Sequence, residues 1–218
     1  DSDAIDQLHV IEQTDEGWNS HVIGTNNARV LYDCHFADID RDGDLDISYA
    51  TYDGPDRGRV GWYRNEGDFS FVQLHWTTSW GQATSAMPVD FDKDGDMDVL
   101  ATGPSDLGDE VDVFRNNNDG TFTRIIPQSE ITPHLQGGSS AVPADLTGDG
   151  EFDILWSDWW GKSFGWIPHS TSSPYKVNRL GGFSANGTFS WADDVNNDGT
   201  LDILVGNFDA GGIYLTTN

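Results

Sequence analysis

Four acidic loops built to one plan constrain this chain more than any other feature. They run Asp38-Ile39-Asp40-Arg41-Asp42-Gly43-Asp44-Leu45-Asp46, Asp90-Phe91-Asp92-Lys93-Asp94-Gly95-Asp96-Met97-Asp98, Asp145-Leu146-Thr147-Gly148-Asp149-Gly150-Glu151-Phe152-Asp153 and Asp194-Val195-Asn196-Asn197-Asp198-Gly199-Thr200-Leu201-Asp202. Oxygen-bearing side chains at positions 1, 3 and 5 converge when the chain turns sharply, and glycine at position 6 tolerates the positive φ of that turn. Position 7 (Asp44, Asp96, Glu151 or Thr200) is expected to offer only its backbone carbonyl. The carboxylate at position 9 (Asp46, Asp98, Asp153 or Asp202) is expected to close the cage. An all-oxygen, flexible cage suits Ca²⁺ better than Mg²⁺, and no soft ligand favours Zn²⁺. Up to four Ca²⁺ ions are therefore expected. Thr147 and Asn196 replace an aspartate at position 3, which makes loops three and four the weaker sites.

The helical EF-hand shares the opening letters but needs a glutamate at position 12. Tyr49, Ala101, Trp156 and Val205 stand there instead. Each loop leads into a short apolar run such as Ile47-Ser48-Tyr49 or Ile154-Leu155-Trp156, so each is read as joining two β-strands. The loop starts are separated by 52, 55 and 49 residues. That period is the mark of a propeller or solenoid, in which each repeat buries its faces against its neighbours.

These loops, the apolar run after each, and the later stretches Trp62-Tyr63-Arg64-Asn65-Glu66-Gly67 and Val113-Phe114-Arg115-Asn116-Asn117-Asn118-Asp119-Gly120 resemble the FG-GAP/VCBS repeat family. Its members include the calcium-binding propeller of integrin α-subunits and many secreted microbial proteins. The resemblance implies a β-propeller in which the ion holds a β-hairpin at the rim of one face, with partners on the opposite face. Adhesion, sugar binding and service as an appendage to enzymes are all uses that the family implies.

The expected fold is all-β: one propeller domain over residues 1–218, with four blades of about four antiparallel strands. The chain opens with two strands, Leu8 to Glu12 and Trp18 to Ile23, and the last repeat lacks an outer strand. Trp18 to Ile23 is expected to close the last blade and so remove its exposed edge. An arc of a larger ring is the alternative. In the closed four-bladed ring, either Leu8 to Glu12 or Gly212 to Thr216 is surplus and available for self-assembly with a neighbour.

A net charge of −26, from 37 acidic and 11 basic residues, excludes nucleic acid and anionic membrane surfaces as partners. Cys34 is alone, so metal rather than a disulfide is the expected staple. Calcium sites of about 10⁻⁴ to 10⁻³ M are filled outside the cell, so the chain is expected to be secreted, its leader removed. No run of 18 apolar residues suggests membrane insertion.

The aromatic residues Trp76, Trp80, Trp159, Trp160 and Tyr52 are assigned to loops at the end of the blades opposite the cations. Aromatic rings beside carboxylates and amides suit a sugar, so these five are the candidate ligand-binding residues. Trp62, Trp166 and Trp191 lie on strands and are expected to pack between blades. His9, His21, His35, His75, His134 and His169 form no H-E-x-x-H spacing, and no G-x-S-x-G appears. The expectation is a non-catalytic binding or adhesion module for carbohydrate or an extracellular protein. A structural subunit of an extracellular assembly or filament, and a polysaccharide lyase or dehydratase, are the alternatives. Asn186-Gly187-Thr188 is a glycosylation sequon.

Overall fold

A computed structural model describes residues 6–26, 30–52, 58–80, 82–105, 108–125, 131–132, 138–169, 175–182, 187–207 and 213–216. These form nineteen strands and no helix. The strands are β1 (Asp6–Thr14), β2 (Gly17–Asn26), β3 (Val30–Ala37), β4 (Asp46–Tyr52), β5 (Gly58–Asn65), β6 (Phe71–Trp80), β7 (Ser85–Val89), β8 (Asp98–Ser105), β9 (Gly108–Asn116), β10 (Phe122–Arg124), β11 (Ile131–Thr132), β12 (Gly138–Ala144), β13 (Asp153–Asp158), β14 (Ser163–Ile167), β15 (Tyr175–Lys176), β16 (Asn178–Gly182), β17 (Gly187–Asp193), β18 (Asp202–Asn207) and β19 (Ile213–Thr216).

Three sheets have four strands each, in the orders β3-β4-β5-β6, β7-β8-β9-β10 and β12-β13-β14-β16. A fourth has three, β17-β18-β19. Each is an antiparallel meander, the unit of a β-propeller blade. The second strand of each blade is nearly continuously buried, as in Asp46–Tyr52 and Asp153–Asp158. A strand sandwiched between neighbouring blades has both faces covered, and the apolar runs after the loops reflect that. Alternate side chains point to opposite neighbours. Val99 and Ala101 pack back on Ala50 and Val60 of blade one, whereas Leu100 packs forward with Ile154 and Trp156 of blade three.

The register shows why the acidic loops sit where they do. Ala37 pairs with Asp46, Val89 with Asp98, Ala144 with Asp153 and Asp193 with Asp202. Every loop therefore closes the hairpin between the first and second strands of its blade.

Three expectations are corrected. First, β2 does not close the last blade. It pairs with β1 from Asp6↔Asn26 to Thr14↔Gly17 in a sheet of two, and β19 is the edge of its own three-stranded sheet. The hairpin instead lays Leu8, Val10 and Ile23 on Ile47, Tyr49 and Tyr63 of blade one. The chain backbone comes so close at Gly24 that a Cβ there would lie 2.5 Å from the Tyr63 ring. Second, the outer strand expected of each four-stranded antiparallel blade is split in blade three. β16 pairs with β14, while β15 pairs in parallel with β11, and Val177 between them turns into the core. Third, His75 to Trp80 is not a loop but the end of β6.

Candidate metal centres

The four loops share one hydrogen-bond scheme dictated by their sequence. The position 1 carboxylate accepts from the glycine N–H at position 6: Gly43 to Asp38 at 3.2 Å, Gly95 to Asp90 at 3.1 Å, Gly150 to Asp145 at 2.8 Å and Gly199 to Asp194 at 2.9 Å. Position 5 accepts from the N–H at position 7, as in Asp44 to Asp42 at 2.9 Å and Asp96 to Asp94 at 3.1 Å. These bonds wind the chain so tightly that Arg41, Lys93 and Asn197 at position 4 adopt left-handed φ of 63°, 58° and 60°. Side chains other than glycine tolerate that region only where the surroundings impose it.

Loops one and two differ from three and four in what remains free. One carboxylate oxygen from each of Asp38, Asp40 and Asp42 lies within 4.8 Å of the others, and the same holds for Asp90, Asp92 and Asp94. Asp38 Oδ1 and Asp90 Oδ1 are buried and accept no hydrogen bond among the described residues. A buried, unpaired carboxylate oxygen beside two other carboxylates is costly without a counter-charge, and a hard divalent cation fits that need. In loop three, Asp145 Oδ1 is taken by Asp149 N at 3.1 Å. In loop four, Asp194 Oδ1 is taken by Asp198 N at 3.0 Å, and Asp198 also accepts from Asn196 Nδ2 at 2.8 Å and Thr200 Oγ1 at 2.6 Å. Those two loops satisfy themselves with backbone and neutral groups.

Position 9 has a role that the spacing did not reveal. Asp46, Asp98, Asp153 and Asp202 are buried and stand outside the groups of three converging acids. Asp46 accepts from Ile39 N at 2.8 Å and Asn65 N at 2.8 Å. Asp98 accepts from Phe91 N at 3.0 Å and Asn116 N at 2.8 Å, and Asp153 from Leu146 N at 3.0 Å and His169 N at 2.7 Å. Asp46, Asp98 and Asp153 thus tie their loops to the end of the third strand. Asn65 and Asn116 complete the tie, donating to Leu45 O at 3.1 Å and Met97 O at 3.3 Å. The recurring Arg-Asn of Arg64-Asn65 and Arg115-Asn116 is the sequence signal for it. Burial pushes Asp46 and Asp98 up to about 6 against the pull of these amides. Burial and then Asp42 raise Asp40; burial and then Asp94 raise Asp96.

Successive loops are stitched along the rim. Arg41 Nε donates to Gly95 O at 3.0 Å, and Lys93 lies 3.8 Å from Glu151 and over the Phe152 ring. A cavity of about 290 Å³ beside loop two is lined by Arg41, Arg115, Asn118 and the carboxylates of Asp92, Asp94 and Asp96. Asp96 is buried there, unlike the exposed Asp44 of loop one.

The candidate ligand residues fall on blades one and three. Trp76 packs against Phe122 with ring centroids 5.2 Å apart, in the seam between blades one and two. Trp80 ends β6 opposite Gly58, with its side chain outside the described residues. Tyr52 and Trp159 are half-buried, whereas Trp160 is 57% exposed in the turn between β13 and β14. Asn186 lies outside the described residues. Trp62 is buried between blades and Trp166 half-buried as expected, but Trp191 is exposed. Among the histidines, His35 Nε2 bonds Asp33 Oδ2 at 2.9 Å, and Ser85 donates to the same oxygen at 2.7 Å. His75 bonds the Tyr49 hydroxyl. Burial drives that hydroxyl far above its ordinary value, the reverse of what proton abstraction needs.

If charge convergence orders the sites, Asp42→Ala or Asp94→Ala lowers the melting temperature in Ca²⁺ more than Asp149→Ala or Asp198→Ala. The expected gap is about 3 °C or more, from roughly 1 kcal/mol of lost ion binding. Equal losses in all four would refute the ordering.

No curated protein is matched by the chain. The family model of the FG-GAP-like repeat matches residues 38–101 and 90–156, which together span more than half of the chain and take in the first three loops. With the antiparallel blades and the loops at their hairpin ends, this establishes that the chain belongs to the FG-GAP-like repeat family.

Proposed function

We propose that this β-propeller binding module is secreted, is stabilised by Ca²⁺ in loops one and two, and binds carbohydrate without catalysis. The observation that carries the Ca²⁺ reading is the pair of three-carboxylate clusters, each with a buried oxygen that accepts no hydrogen bond. A flexible loop of carboxylates and carbonyls accommodates the irregular shell of Ca²⁺, while Mg²⁺ demands a tight octahedron. An ion there locks the hairpin between the first and second strands, and Asp46 and Asp98 transmit that order to the third. Such sites are filled at extracellular calcium levels, which is the support for secretion.

The carbohydrate reading rests on Trp160. In an antiparallel meander the turns after the second strand lie at the end of the blade opposite the cation loops. There Trp160 is exposed, and Asp158 accepts from Gly161 N at 3.0 Å to hold its turn. A flat apolar ring with polar neighbours stacks on the C–H face of a pyranose. A protein partner at the same face is the second reading, since exposed tryptophans are also frequent anchors of protein contacts.

A glycan array probed in Ca²⁺ tests this. Binding to at least one glycan is expected, with Trp160→Ala weakening it roughly tenfold, the equivalent of about 1.4 kcal/mol. A silent array, or a glycan bound equally by the variant, would overturn the carbohydrate reading.

A further inference from the structure

Loops one and two are joined by side chains that neither loop needs for its own winding. Asn116, at the end of β9 in blade two, is buried, and its Nδ2 amide crosses the seam to donate to Ile39 O of loop one at 3.0 Å. The same amide reaches Met97 O of loop two at 3.3 Å. Its Oδ1 accepts from Asn118 N at 3.0 Å, and its backbone N–H donates to Asp98 at 2.8 Å, so the residue is fixed from every side. Ile39 stands between Asp38 and Asp40, two of the three converging acids of loop one, and its own N–H is held by Asp46. One buried amide therefore fixes the backbone of both loops.

Arg41 makes the return link. It lies between Asp40 and Asp42, and its Nε donates to Gly95 O at 3.0 Å. That carbonyl belongs to the peptide group whose N–H, on Asp96, donates to Asp94 at 3.1 Å. A converging acid of loop two is thus held by a peptide group that a residue of loop one holds at its other end. Beneath both links, Ile39 and Met97 pack in one apolar cluster with Trp62.

The next seam has the apolar packing without the links. Phe91 and Phe152 pack there as Ile39 and Met97 do. The place of Asn116 is held by His169, whose ring lies against Phe91 with centroids 6.0 Å apart and whose Nδ1 makes no hydrogen bond among the described residues. The pair of Lys93 and Glu151 is open to solvent, where an ion pair is worth little.

We propose that Arg41 and Asn116 couple the cation sites of loops one and two, so that the two sites fill as a pair. The proposal rests on the calcium reading above. With no ion, repulsion among three carboxylates favours an unwound loop, and the two links form only between loops that are both wound. An ion in one loop therefore removes part of the ordering cost of the other, and the second ion binds more tightly. The effect is reciprocal. Mutual repulsion of the two ions works against it and is screened by salt. Arg41 and Asn116 act through the loop backbones, as positioning residues.

The test uses the full chain, freed of metal and titrated calorimetrically with Ca²⁺ in about 0.15 M salt. Asp42→Ala and Asp94→Ala each remove a central ligand, and each variant gives the binding constant of the site that remains. In the unaltered chain, the overall constant for filling both sites is expected to exceed the product of those two constants by about fivefold or more. The same three measurements in an Arg41→Met background are expected to give a lower ratio with two ions still bound; the position is exposed, so the fold is kept. Asn116→Ala, which also strands buried carbonyls, should lower the ratio further at some loss of stability. Lys93→Met removes a charge from the same position of loop two without touching either link and should leave the ratio as it is. A ratio of one in the unaltered chain, or a ratio that Arg41→Met does not lower, would overturn the coupling although Ca²⁺ binds. A chain that binds no Ca²⁺ would overturn the calcium reading itself, and the coupling with it.

Discussion

Asp98→Ala is expected to be among the most destabilising single substitutions in this protein. It removes a fully buried carboxylate that accepts from Phe91 N and Asn116 N, and it leaves both amides without their acceptor. Each buried donor left unsatisfied costs about 1 to 3 kcal/mol, so a loss of roughly 3 to 5 kcal/mol is expected. For a domain of this size that lowers the melting temperature by about 10 °C. Asp46→Ala should behave alike, since Asp46 makes the same pair of bonds in blade one. Asp15→Ala, in the exposed turn between β1 and β2, should move the melt by less than about 0.5 kcal/mol. Thermal melts of the three variants with chelator present check this, because the effect is one of hydrogen bonding and needs no ion. If Asp98→Ala melts with Asp15→Ala, position 9 is not the anchor described above.

Removing the cations should also reverse the sign of the pH dependence of stability. Asp46 and Asp98 titrate at about 6 in the fold, above the ordinary 3.8, because burial disfavours their charge. Without an ion, the folded state holds these protons more tightly than the unfolded chain does. Their contribution is therefore most favourable below about 4, declines as pH rises to about 6, and is level beyond it. Asp33 acts in the other direction. Burial would raise it, but hydrogen bonds from His35 and Ser85 hold it below its ordinary value, so its contribution is lost only at more acidic pH. With Ca²⁺ present, ionised loops are the binding form, and stability should rise with pH across the window in which the chelated protein weakens. Parallel curves with and without the ion would show that the loop carboxylates are not its ligands.

The loops and the strands flanking them were legible in the sequence because both are local. The converging letters of Asp38, Asp40 and Asp42, and of Asp90, Asp92 and Asp94, need only a tight turn to meet. Tyr49 and Ala101 sufficed to exclude a helical loop. The features that were not legible depend on partners distant in the chain. Trp18 to Ile23 alternates as any outer strand does, and nothing in that pattern says that it will pair with β1 and not with β19. Trp76 reads as a loop residue open to a ligand and Trp191 as a strand residue packed between blades, and the structure reverses the two. One is covered because Phe122 of the next blade lies against it, and the other is bare because no described residue covers that side. The tie that position 9 makes to the third strand was not legible because Asn65 and Asn116, its amide partners, lie 19 and 18 residues farther on.

The most direct test is a thermal melt at neutral pH in Ca²⁺ and again in excess chelator. At a hundredfold excess over the dissociation constant, each filled site adds about 2.7 kcal/mol. Two sites, in loops one and two, therefore correspond to a fall of roughly 10 to 20 °C on chelation for a chain of this size. Restored Ca²⁺ should return the original melt, and Mg²⁺ at the same concentration should not. An unchanged melting temperature in chelator would contradict the account, because the carboxylates of Asp38 and Asp90 would then be stable in their buried positions without a counter-charge.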